Sequence, residues 1–228
     1  MNQSASGPFS STIRLIFVPA LISLIVTLWR LTGELLQWSA RFYNPEAGGS
    51  GAIVGITWLA PVFGIYFALH LTRTGQAPSH WGKALGLAIL GGVVLIAGTP
   101  VQAVFLENSF FAGLVYIWLL GLVAASIQYF GWSQLFKTLL AYGLAARLPV
   151  ILIMALAIQG GWGTHYDARP DGFPAMGWHP AFLWLGFFPQ LLFWVSFTIV
   201  IGAFFGTPAA LVFQRRQRRK AVAETAPS

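Results

Sequence analysis

From residue 172 to residue 214 the chain carries no Lys, Arg, Asp or Glu, and it then meets Arg215-Arg216-Gln217-Arg218-Arg219-Lys220. An apolar run of that length that ends on a basic cluster reads as a transmembrane helix resting on the cytoplasmic face of a bilayer. Composition agrees. Hydrophobic residues make up 57% of the 228 and charged residues 8%, against about 25% charge in a soluble domain. One water-soluble core could not hide that much apolar surface, so the excess must face lipid.

Six apolar segments can be marked off, at about 12–36, 52–74, 83–105, 110–131, 133–160 and 181–213. Each has the roughly 20 residues that a bilayer crossing needs. The expected fold is therefore all-α: a polytopic membrane protein of about six transmembrane helices. Residues 1–11 form a polar, disordered N-terminus, 12–213 the transmembrane domain, and 214–228 a basic tail. The last segment is too long for one crossing. Its true crossing is expected at about 190–212, entered through an oblique aromatic stretch broken near Pro189. Arg14 precedes the first apolar run, but that run has no small-residue cleavage site, so it reads as a retained helix.

The distribution of Lys and Arg sets an orientation. With six crossings both termini share a side, and the tail places that side in the cytoplasm. Arg14, Arg73, Lys83 and Lys137 fall there too, while Arg30, Arg41 and Arg169 fall outside. The expected location is the cell inner membrane, multi-pass, with the tail against anionic lipid headgroups. The net charge of +7 is concentrated in that tail. It lacks the aromatic interleaving of a nucleic-acid module, so no nucleic-acid partner is expected.

Two arginines stand out. Arg147 lies about ten residues, or roughly 15 Å, beyond Lys137 on the fifth segment, near mid-bilayer. A charge there costs at least about 2.5–3.5 kcal/mol on insertion scales. It should face the interior. No acid lies at matching depth, and Tyr142, Gln128, Gln102 and Gln190 are the polar neighbours available. Either it caps carbonyls near Pro149, or it awaits an anionic ligand. Arg30 and Glu34 are spaced i,i+4 on the first segment and can pair on one helix face.

A second candidate site lies in the outer loops. His165, Asp167 and His179 occupy the turn-rich stretch 159–180, and Glu46 or Ser50 could approach from the first loop. His-x-Asp with a distant His could supply zinc ligands, but the spacing matches no established metal motif, and no bound metal is expected. Gly48-Gly49-Ser50-Gly51 resembles the G-x-S-G motif of rhomboid intramembrane proteases over those four residues. That family's serine heads its fourth helix and its histidine lies on the sixth. Here Ser50 precedes the second segment, and a base could come only from His165 or His179.

The chain has no cysteine, which removes thiolate metal sites, disulfides and Cys nucleophiles. It has no Walker loop, no G-x-G-x-x-G and no H-E-x-x-H, and its histidines are not placed to ligate a haem, so no cofactor is expected. Gly202 and Gly206 form a G-x-x-x-G that points first to packing within one subunit, and second to a homo-oligomer. The leading functional expectation is a small transporter or channel-like protein for a small solute. An anion is the class that Arg147, with Arg30 and Glu34, would favour. The alternatives are a membrane-embedded enzyme using the outer-loop residues and a non-catalytic accessory subunit of a membrane complex.

Overall fold

The computed structural model describes residues 8–49 and 51–225, and among them there are helices and loops but no strand. The chain runs through α1 (Pro8–Leu35), α2 (Leu59–Arg73), α3 (Trp81–Asn108), α4 (Phe110–Gly131) and α5 (Ser133–Gly160). A final rod begins with α6 (Trp178–Phe182), passes through π-helical turns at Leu183–Phe187 and Pro189–Trp194, and ends as α7 (Val195–Thr225). Five of these helices are long and apolar enough to cross a membrane: Ser11–Leu35, Trp81–Phe105, Phe110–Gly131, Ser133–Gly160 and Trp178–Glu224.

The bundle buries polar side chains beside an apolar core built on Phe67, Leu135, Leu139 and Val200, and turns large apolar side chains outward. Ser23, Thr27, Gln128, Thr138, Ser196 and Thr207 are buried, whereas Phe17, Ile96, Phe130 and Leu152 stand more than half exposed on helix faces. Outward apolar faces of this extent are costly in water and favourable in lipid. The buried hydroxyls serve the backbone. Ser23 Oγ donates to Pro19 O at 3.0 Å and lies 2.8 Å from Tyr142 Oη, tying α1 to α5.

Small residues set the tightest contacts. A Cβ on Gly64 of α2 would collide with the backbone of Gly202, and one on Gly206 with the backbone of Gly64. The G-x-x-x-G of α7 is thus used inside the chain, where it lets two helix backbones touch. In α3, Gly91 faces Gln128 and Gly92 faces Phe204, while Gly82 and Gly86 have open space beside them. Gln128 Nε2 also donates to Leu87 O at 3.0 Å across the α3–α4 contact. Single residues join α3 to α4 and α4 to α5. Ser109 receives the Ala112 amide at the start of α4, and Trp132 sends its indole N–H to Gln76 O at 2.8 Å.

Two boundaries differ from the sequence reading. The second segment is helical only over the 15 residues of α2, roughly 22 Å, short of the about 30 Å hydrocarbon core. Residues 52–58 precede it as irregular backbone, which is tolerated at such depth only where it lines a cavity or is buried in protein. The last segment is not broken near Pro189. Proline deletes one backbone donor, and the rod absorbs this by widening into π turns rather than by bending off. The basic cluster continues α7 as helix to Thr225.

Candidate functional site

The end of the bundle where α1 stops and α2 begins holds a cavity of about 540 Å³. Its polar wall comes from four elements: Arg30 and Thr27 on α1, Arg147 on α5, His165 on the loop after α5, and Gln190 on the rod. Its apolar wall includes Val150, Met154, Leu114, Trp184, Pro189 and Trp194. Thr57 and Trp58, which precede the first turn of α2, also line it. The positive end of that helix's dipole is therefore set against the cavity.

The loop after α5 folds for local reasons. Gly161 adopts φ +61° and closes the helix with its N–H on Ala157 O, a left-handed cap that glycine takes without steric cost. Asp167 then gathers the next turn. It accepts from Gly163 N at 2.9 Å, Thr164 N at 2.8 Å and Thr164 Oγ1 at 2.7 Å. This curl drives His165 and Tyr166 inward.

His165 lands on Glu34. Its backbone N–H donates to Glu34 Oε2 at 2.8 Å, and its Nδ1 lies 2.6 Å from Oε1 and 2.7 Å from Oε2. Arg30 Nε donates to the same carboxylate at 2.7 Å. The Glu34 side chain is wholly buried and holds both Arg30, as an ion pair, and His165. Burial, with Arg30 nearby, pushes His165 below its ordinary value against the opposing pull of Glu34. The ring is then neutral at pH 7. Since Nδ1 faces a carboxylate, it bears the proton, which leaves Nε2 as the lone-pair nitrogen. Burial likewise raises Tyr166 well above the ordinary tyrosine value, so its hydroxyl stays protonated and donates to Thr27 O at 3.3 Å.

The first loop wraps Arg30. Nη2 donates to Asn44 O at 3.1 Å and to Gly49 O at 3.0 Å. Gly49 has φ +58°, and a Cβ there would collide with Arg30 Nη2 and sit 2.9 Å from His165 Cδ2. Only glycine fits between the Arg30 guanidinium and the His165 imidazole.

Arg147 is held differently. It is 6% exposed and has no carboxylate partner among the described residues. Nη1 donates to Gln190 Oε1 at 3.3 Å, and the guanidinium carbon lies 4.7 Å from the centre of the Trp194 ring. Gln190 is steadied in turn by a 3.5 Å contact from Nε2 to Met154 Sδ. Nε of Arg147 is buried with no hydrogen-bond partner, a costly condition for a charged donor. Arg30 and Glu34 cancel and His165 is neutral, so the cavity carries one uncompensated positive charge.

The other sequence candidates separate. Glu46 is exposed on the first loop, with its amide held by Asn44 Oδ1 at 3.1 Å. His179 is exposed beside Trp178, and Asp167 is occupied by its own turn. Ser50 lies outside the described residues. Among those described, no three His, Asp or Glu side chains converge as a metal would require. His165 alone of that outer set reaches the cavity, and its acid is Glu34. Sequence reasoning kept Arg30–Glu34 and His165 apart and missed Trp194. The spacing of Gln190 and Trp194, i and i+4 on a charge-free helix, was the available signal.

Comparison of the chain with known protein families, curated proteins and solved structures returns no match.

Proposed function

We propose that this protein binds a small anion in the Arg147 cavity and carries it across the membrane. The observation that supports this most is the buried guanidinium of Arg147, which lines a cavity and has no carboxylate partner among the described residues. A structural arginine would saturate its donors; this one keeps a buried N–H and a full charge without a counter-ion. Arg30, fixed by Glu34 and the first loop, adds a rigid second donor edge, and the start of α2 adds its dipole. The unwound approach to a half-length helix, set against a charged pocket, is the physical arrangement that lets backbone polar groups meet a solute at membrane depth.

In this reading α2 and its irregular approach, residues 52–58, together make the sixth crossing, both termini are cytoplasmic and the cavity opens outward. Reporter fusions after residue 220 and between Arg73 and Lys83 should give cytoplasmic signals, and fusions near Glu46 and Asp167 external ones. Binding is tested on purified protein with radiolabelled monocarboxylate, sulfate and phosphate. Arg147→Gln should abolish binding and Arg147→Lys should weaken it, because an ammonium lacks the planar fork. Retained binding in Arg147→Gln refutes the proposal.

One observation favours a second reading. A carboxylate-bound histidine with Nε2 as lone pair is the orientation of a general base. On that reading the protein is a membrane-embedded enzyme acting on an anionic substrate, and His165→Gln would stop turnover while leaving anion binding intact.

A further inference from the structure

A second hollow adjoins the first. Between α1 and the first loop lies an apolar groove of about 460 Å³, lined by Val26, Trp29, Phe42, Tyr43, Ile53 and Val54. Gly55 and Trp58 belong to the walls of both hollows. The two hollows thus adjoin across Gly55 and Trp58, charged on the Arg147 side and hydrocarbon-like on the other. The rim of the groove is apolar too: Trp29, Ile53 and Trp58 are each about half exposed, on a stretch where α1 is a membrane-crossing helix. In lipid such a rim opens toward acyl chains rather than water.

We infer that the ligand of this site is an amphiphile with a singly charged anionic head and one acyl chain, which enters sideways from the bilayer. This rests on the anion-binding reading of Arg147 and deepens it. Three observations choose the occupant. The cavity has one uncompensated charge, which matches a carboxylate or phosphodiester better than a dianion. The Arg147 guanidinium, which lines the cavity without a carboxylate partner among the described residues, supplies the cation for the head. The groove offers no charged side chain along its wall, so it suits a chain and repels a second polar group. Gly55, shared by both walls, brings the groove up to the charged end: a Cβ there would lie 3.1 Å from Arg30 Nη1.

Affinity should therefore grow with chain length. Burying one methylene is worth about fourfold in affinity at full transfer, and competition from the detergent micelle reduces this. The test measures binding of acetate, hexanoate and decanoate to the full chain in neutral maltoside micelles. 1-Decanoyl-lysophosphatidylglycerol serves as the phosphodiester counterpart. Decanoate should bind at least tenfold tighter than acetate. Ile53→Trp, which fills the groove, and Phe42→Asp, which puts a carboxylate at its rim, should both remove that gain and leave acetate binding unchanged. 11-Bromoundecanoate should quench tryptophan fluorescence, and Trp58→Phe should reduce the quenching. Tighter binding of the lysolipid than of decanoate would assign the head to a phospholipid; the reverse would assign it to a free fatty acid. Equal affinity for acetate and decanoate, or a gain that survives both groove variants, overturns the amphiphile while leaving the anion reading in place. If neither short nor long anions bind the wild-type chain, both fall.

Discussion

Replacing Arg147 by glutamine separates a ligand-binding arginine from a structural one, because the two roles predict opposite balances of stability. A cation near the middle of a membrane helix costs about 2.5–3.5 kcal/mol on insertion scales, and the substitution relieves most of that. Against it stand the losses. The stack on Trp194 at 4.7 Å is worth about 0.5–2 kcal/mol. The long 3.3 Å bond to Gln190 is worth about 1 kcal/mol. Nε contributes nothing, since it has no partner. These terms nearly cancel, so Arg147→Gln should change stability by no more than about 1 kcal/mol. For a chain of this size that is a shift of about 2–4 °C in midpoint. The assay is thermal unfolding of the purified protein in maltoside micelles, with and without ligand. Anion at a hundred times its Kd should stabilise the wild type by about 2.7 kcal/mol and leave the variant unmoved. A fall of more than about 8 °C in unliganded Arg147→Gln, equivalent to roughly 2 kcal/mol or more, would show that the arginine holds the bundle together and refute the reasoning.

The polar cluster around it gives three more expectations. His165 sits below its ordinary value through burial, so the unfolded chain takes up a proton that the folded chain refuses. Stability should be full above about pH 6.5 and decline as the pH drops below it; His165→Gln should flatten the acidic slope in a denaturation series. Asp167→Asn should cost about 1.5–3 kcal/mol by loosening charge-assisted bonds to the 163–164 turn, read as faster hydrogen exchange at Gly163 and Thr164. Gly48 and Gly49 both have positive φ, but only Gly49 touches Arg30. Gly48→Ala should cost about 1–2 kcal/mol, and Gly49→Ala clearly more, with anion binding lost alongside stability.

Membrane character was legible because it depends on local composition: five of the six apolar segments form helices long enough to cross. Segment two was overread because hydropathy does not distinguish a helix from apolar backbone lining a cavity, and residues 52–58 are apolar without being helical. Arg30–Glu34 was legible from i,i+4 spacing and forms at 2.7 Å. Its third member, His165, lies 131 residues from Glu34, and nothing local in either segment encodes a contact across that span. Asp167 looked like a ligand because its type fits one; only the turn geometry reveals that Gly163 and Thr164 already use its oxygens. The burial of Arg147 followed from its depth, whereas its seat on Trp194 depended on the π-helical register of the rod.

That register has a fragility of its own. A π turn is an α-helix that has accepted an extra residue, and here two such turns follow one another between Leu183 and Trp194. They act as a phase shifter. Taking out one residue between Leu191 and Phe193 would let the second of these turns relax to α-helix and rotate everything upstream by roughly 100°. Trp184 and Gln190 would swing off the cavity wall, and Trp178 would lose its 3.1 Å bond to Ala155 O. The lower half of α7, with Gly202 and Gly206 locked on α2, would not notice. The aromatic face presented to the cavity is therefore set by residue count, a property that single substitutions leave untouched and that one deletion erases.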